Sequence, residues 1–158
     1  MDGSREADMR DRPRIVGGRP PRVKAILLLA LLAGCFWRSY GPQAAAHVDV
    51  LVSIARKGAD LVANGRLTAE SMPELTYPLE RAVAFLEKAR ARAGATLPES
   101  LAALATLTER YRDFVDALDR ARREHEPEAA RATLAAPLAA VEAAAARVRE
   151  TLRAEGRL

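Results

Sequence analysis

From Gln43 onward the chain repeats apolar residues at alternating spacings of four and three, and no window alternates with period two for long enough to make a strand. That spacing lays an apolar stripe along one face of a helix, so the predicted fold class is all-α. Four stripes succeed one another. Val48, Val52, Ala55, Ala59 and Val62 form the first, which stops at Asn64-Gly65, a pair that ends helices. Leu75, Leu79, Ala82, Leu86, Ala89 and Ala93 form the second, closed by Gly94. Leu97, Leu101, Leu104, Thr108, Tyr111, Val115 and Leu118 form the third, where Thr96-Leu97-Pro98-Glu99 fits a capping box with proline in the first turn. Leu134, Leu138, Val141, Ala145, Val148 and Leu152 form the fourth. Helices joined by short connections fold back on their neighbours, which predicts an antiparallel up-down four-helix bundle over residues 43–158.

Two prolines modify this expectation. Pro78 disfavours helix at Tyr77, so the second helix is predicted to begin near residues 76–79, with Leu75 in a separate turn. Pro137 falls inside the fourth stripe and is expected to bend that helix without ending it. Val50, Ile54, Phe85, Leu107 and Phe114 widen the apolar faces beyond a narrow seam, which favours a closed monomeric bundle over a long two-stranded coiled coil. The alanine run Ala143–Ala146 offers little area to bury, so a homodimer that completes a thin core stays open. Asp116 with Arg120, Asp119 with Arg123, Glu128 with Arg131 and Glu87 with Arg90 are spaced to pair on the solvated faces.

Residues 25–37 are thirteen residues without a charge, preceded by Arg19, Arg22 and Lys24. Crossing a hydrocarbon core takes about 20 apolar residues, whereas a run of roughly 7 to 15 behind a basic flank has the dimensions of a signal peptide. Positive charge stays on the cytoplasmic side, so the chain beyond the run is directed outward. The run ends Leu32-Ala33-Gly34-Cys35, which resembles the lipobox of bacterial lipoprotein precursors at all four positions. The resemblance implies that Cys35 receives a diacylglyceryl group, that signal peptidase II recognises Leu32, Ala33 and Gly34 and cuts before Cys35, and that the new amino terminus is acylated. Small residues at 33 and 34 let an extended backbone enter a protease groove, and the thiol is the strongest nucleophile on offer. Two or three acyl chains anchor stably where one does not. Phe36, not Asp, comes after the cysteine, so the resemblance implies the outer membrane in a two-membrane bacterium.

The chain therefore divides into a leader over 1–34, a lipidated tether over 35–42 and the bundle over 43–158. The 24 residues before the apolar run exceed the usual basic segment of a signal peptide, and initiation at Val23 from a GUG codon, or less tidily at Met9, would restore normal proportions. Phe36, Trp37 and Tyr40 lie in the tether beside Arg38. Such rings either partition into the headgroup region or pack under the first helix.

The formal charge is +4, but residues 1–34 hold seven basic side chains against four acidic, leaving 18 against 17 from Cys35 onward. A nearly neutral body argues against a nucleic-acid partner, because neutralised phosphates supply most of that affinity. One cysteine excludes disulfide frameworks, four-thiolate zinc sites, Cys-x-x-Cys redox pairs and covalent c-type haem. The di-iron pattern Glu-x-x-His is missing, since Ala44 precedes His47 and Arg122 precedes His125 at that spacing. In the predicted topology those two histidines lie at opposite ends, on the order of 30 Å apart, and cannot share an iron. Met72 is the only methionine after Cys35, which removes a methionine-rich copper site. Glu124-His125-Glu126 reads as a polar turn, and Ser53 and Ser71 have no nearby His and Asp arrangement. No metal, cofactor or catalytic residue is therefore assigned.

The connection from Gly65 to Tyr77 is longer than the two to eight residues usual in bundles. Its apolar residues Leu67, Met72, Leu75 and Tyr77 are either a lid over the core, with a short helical turn starting at Thr68 or Ser71, or a docking surface for an envelope partner at the tip far from the membrane. The sequence thus leads to a non-enzymatic envelope lipoprotein acting as scaffold, adaptor or inhibitor. A bundle holding a small apolar ligand or haem is the alternative, and an enzyme ranks last.

Overall fold

A computed structural model describes residues 21–93, 97–124 and 126–158, with side chains from residue 40 onward. It is all-helical: α1 (Pro21–Ala63), a 3-10 turn (Ala69–Ser71), α2 (Met72–Ala93), α3 (Glu99–Ala121) and α4 (Pro127–Ala154), with no strand among the described residues. The leader residues 1–20, Gly94, Thr96 and His125 lie outside the described residues.

The stripes become the core. Val48, Val52, Ala55 and Val62 of the first, Ala82, Leu86 and Ala89 of the second, and Val141, Ala145, Val148 and Leu152 of the fourth are buried. In the third, Leu101, Leu104, Thr108, Tyr111 and Leu118 are buried, and Leu107 and Phe114 join them with no exposure at all, so α3 packs against α1, α2 and α4 together. Fully burying a side chain of this size contributes about 1.5–3 kcal/mol, which explains why a helix that gathers six large side chains, Leu101, Leu104, Leu107, Tyr111, Phe114 and Leu118, packs inward. Off-stripe Ile54 and Phe85 are half-buried against the core, and Val50 is exposed. The three buried polar residues all find partners: Thr108 donates to the Ala105 carbonyl, Thr151 reaches those of Arg147 and Val148, and Ser100 binds Glu155.

Pro78 does not delay α2. The helix starts at Met72, six residues earlier, and Leu75 is helical and fully buried. A proline at 78 lacks the N–H that would serve the Glu74 carbonyl, and the Tyr111 hydroxyl donates to the adjacent Leu75 carbonyl at 2.7 Å. Burial of Leu75 and this cross-helix hydrogen bond outweigh the local preference. The long connection accordingly shrinks to residues 64–68 and one 3-10 turn, in which Thr68 and Ser71 hydrogen-bond through their hydroxyls. Pro137 is passed without interruption by α4.

Helix ends obey local chemistry. At the end of α1, Gly65 has φ +64°, and the Gly65 and Arg66 amides donate to the Val62 and Leu61 carbonyls. That is a Schellman stop, and it repeats at the end of α4, where Gly156 also has φ +64° and the Gly156 and Arg157 amides reach Arg153 and Leu152. At α3 the cap position is Pro98, whose carbonyl accepts from the Leu101 and Ala102 amides; Thr96, on which a capping box is expected, lies outside the described residues.

Pairing between α1 and α4 runs in opposite order along the two helices. Arg149 meets Asp49, Arg56 meets Glu142, and Arg131 donates to the Ala63 carbonyl. Of the four surface pairs expected from spacing, Asp119 with Arg123 forms, with Arg122 joining it. Arg131 turns to Ala63 in place of Glu128.

Candidate functional site

Leu32, Ala33, Gly34 and Cys35 fall within the span of α1, and their side chains are not among those described. The first described side chain after them is Tyr40, fully buried. Residues 40–42, expected in the tether, lie within α1, and Tyr40 is buried against the start of α3 and the end of α4.

Tyr40 opens a polar cluster at this basal end. Its hydroxyl donates to Glu155 Oε2 at 2.6 Å and lies 3.2 Å from Ser100 Oγ. Ser100 itself donates twice to the same carboxylate, Oγ to Oε2 at 2.7 Å and the backbone N–H to Oε1 at 3.0 Å. Glu155 therefore caps the start of α3 from another helix, placing a negative charge where the free N–H groups and the helix dipole favour one. Burial alone would raise this carboxyl, but the hydrogen bonds from Tyr40 and Ser100, helped by the Arg157 charge, hold it below the ordinary glutamate value. Burial raises the Tyr40 phenol, and its bond to Glu155 adds to that shift.

The Gly156 stop turns the C-terminal tail back onto α1. The Arg157 guanidinium lies over the Tyr40 ring, 4.5 Å from its centroid, and a Cβ on Gly41 would come within 2.6 Å of the Arg157 carbonyl oxygen. Only glycine fits there. These residues bind the first turn of the bundle, the start of α3 and the end of α4 into one unit. Its hydroxyls and its carboxylate are engaged in tying helices together.

The four residues assigned to a partner surface separate. Leu67 and Met72 are half-buried against the core, Leu75 is wholly inside, and Tyr77 is 56% exposed. Leu67 also lines a depression of about 160 Å³ with Val62, Ala121 and Ala130, at the end of the bundle away from Tyr40. Sequence reasoning missed the Tyr40–Ser100–Glu155 cluster entirely. A signal was available in Gly156, which comes after the last stripe residue, Leu152, at the distance of a helix stop.

Among the described residues no group of three His, Cys, Asp or Glu side chains is placed to hold a metal ion, and no helix is long and apolar enough to cross a membrane. No family model, no curated protein and no solved structure matches this chain.

Proposed function

We propose that this protein is a lipid-anchored lipoprotein of the bacterial cell envelope, attached through Cys35 and acting without catalysis as a scaffold, adaptor or inhibitor. The single observation that carries the reading is Leu32-Ala33-Gly34-Cys35 at the end of an uncharged run behind a basic flank. The four helices run up-down-up-down, supported by the reversed pairing of α1 with α4. With Tyr40 buried only five residues after Cys35, the base of the bundle sits close to the bilayer. The Gly65–Met72 connection then lies at the far tip. There Leu67 with its depression, and Met72 beside it, meet a partner first, while Tyr77 projects from the adjoining flank and Leu75 supports them from below. The outer membrane is the destination in a two-membrane host, since no Asp comes directly after Cys35.

Labelled palmitate tests the anchor. Label is expected on the native protein in its host and lost in Cys35→Ser, and persistent labelling of the substituted protein excludes this site. A photo-crosslinking residue at position 67 or 77 in intact cells then tests the tip. Adducts with one envelope protein are expected there, and the same adducts from position 135, on the exposed face of α4, would remove the tip as the docking surface.

A further inference from the structure

Two grooves of similar size flank α1, and their charges are organised differently. The one facing α4, about 570 Å³, holds Asp49 and Asp60 among its lining residues, and three of its four cations are engaged in ion pairs: Arg149 with Asp49, Arg56 with Glu142, Lys57 with Glu74, with Arg66 the fourth. The one facing α2, about 540 Å³, is lined by Gln43, His47, Phe85 and two alanines, with Arg81 and Lys88 as its charged residues and no carboxylate. Neither cation forms an ion pair among the described residues. Arg81 donates to the Tyr77 hydroxyl at 3.3 Å and lies 6.0 Å from that ring, contacts that leave its charge uncompensated.

The floor of this second groove is apolar and close-packed, with the His47 and Phe85 ring centroids 5.0 Å apart. Burial, and then the Arg81 charge, lower the His47 pKa, so at neutral pH the imidazole is an uncharged donor and acceptor between two cations. An anion with an apolar continuation matches that combination, one end satisfied by charge-assisted hydrogen bonds and the other by ring and methyl surface. Gln43 and His47 lie eight and twelve residues beyond Cys35, a rise of about 12 and 18 Å along α1. Headgroups occupy the roughly 5–7 Å beyond each face of the hydrocarbon, so a lipid held at this groove is drawn outward from the bilayer by several Å.

We infer that the groove between α1 and α2 receives the phosphodiester headgroup of an anionic phospholipid, with Arg81 and Lys88 holding the phosphate and Phe85 the adjoining glyceryl and acyl carbons. That the bilayer supplies this lipid rests on the Cys35 anchor. The groove binds the same headgroup whether or not the anchor is present, so the two statements fail separately.

The chain has two histidines, which makes the His47 Cε1–H resonance, identified by its loss in His47→Gln, a direct reporter from the groove floor. The full chain in a nonionic detergent is titrated with dihexanoylphosphatidylglycerol below its micelle concentration. A saturable shift of that resonance is expected, weakened at least about tenfold in the Arg81→Glu, Lys88→Glu double variant, whose circular dichroism and unfolding midpoint stay unchanged. Dihexanoylphosphatidylcholine, which has no net charge, is expected to bind more weakly than the phosphatidylglycerol. Absence of a saturable shift, an equal response to phosphatidylcholine, or the same affinity for inorganic phosphate alone overturns the inference. Tighter binding of a tetraglutamate peptide also overturns it, in favour of an acidic protein partner. The intact mass of the same preparation reports on Cys35, so a bare thiol there removes the anchor while leaving the groove result standing.

Discussion

At the base of the bundle the Glu155 carboxylate holds Ser100 and Tyr40, partners 55 and 115 positions away in the chain, and the Arg157 tail closes over Gly41. At the tip the connection between α1 and α2 is closed locally, by a Schellman stop at Gly65 and a hydroxyl pair between Thr68 and Ser71, while longer reaches from Arg131 to the Ala63 carbonyl, Lys57 to Glu74 and Tyr111 to the Leu75 carbonyl hold the helices on either side of it. Charge divides in the same way. Residues 40–49, 85–104 and 147–158 carry seven Lys and Arg against five Asp and Glu, whereas residues 60–76 and 113–131 carry five against nine. A body whose total is near neutral is thus polarised along its axis, basic at the end that holds Tyr40 and acidic at the end that holds Gly65. Non-local closure ties the base to global unfolding, and local closure lets the 64–71 connection open by itself. That connection can therefore change shape while the base holds its own.

Truncating one side chain at each end should break this symmetry most visibly. Tyr40→Ala empties a fully buried aromatic site and removes the hydroxyl from Glu155, an expected loss of about 3–5 kcal/mol, while Leu67→Ala at the half-buried tip should cost about 1 kcal/mol. Urea unfolding monitored by circular dichroism measures both. Equal losses would dissolve the distinction between the ends. Gly41→Ala sharpens the same comparison by adding atoms: the new methyl meets the Arg157 backbone, which cannot swing aside, and about 1–3 kcal/mol should be lost. A neutral result there would mean that the tail contact is loose.

How much of this is legible in the sequence depends on how far apart the deciding residues lie. The α3 stripe is readable because its signal is a spacing repeated within one helix, and Leu101, Leu104, Tyr111 and Leu118 are buried as that spacing predicts. Pro78 misleads because its local preference is opposed by Leu75 burial and by the Tyr111 hydroxyl, 36 positions away. Judged by its neighbours alone, Leu75 belongs to an exposed connection. Within the basal cluster each residue is unremarkable where it stands in the chain: a tyrosine two residues after a basic one, a serine after a glutamate, a glutamate before a glycine. Their meaning arises only when three helices converge. The charge polarity is hidden for a related reason, since the chain order alternates between ends and a running total averages them.

Glu155 offers a graded test of the base. Its carboxyl is held below the ordinary value in the fold, so the stabilisation is complete above the unfolded pKa of about 4.3 and disappears as pH falls through the folded value. Glu155→Gln keeps an acceptor but loses the charge, which should cost about 1–2 kcal/mol at pH 7. The gap between the native protein and the variant should narrow steadily below about pH 4.3. If it stays constant down to the acid limit, the ionised carboxylate is not what holds the base.

The smallest expected effect concerns His47, on the same basal half of α1. Burial lowers its pKa and the Arg81 charge lowers it further, so its titration by nuclear magnetic resonance should have a midpoint below 6.5. Arg81→Gln should raise that midpoint only partway, because burial, the larger cause, remains. A lowered histidine stabilises the fold above the unfolded pKa and loses that contribution as pH falls through the folded value. His47 and Glu155 then weaken the base in two successive acid windows, the first opening below about pH 6.5 and the second below about pH 4.3. Asp119, whose bond to Arg122 lowers its carboxyl, acts at the half-exposed surface near the tip. Mild acid should therefore narrow the advantage of the base over the tip before it unfolds the bundle. Hydrogen-exchange protection of the Ser100 and Leu101 amides, corrected for the intrinsic rate and falling on acidification more than that of Leu134, near the opposite end of α4 from Glu155, is the measurement that would show it. A uniform loss of protection along the chain would mean that the two ends share one acid response.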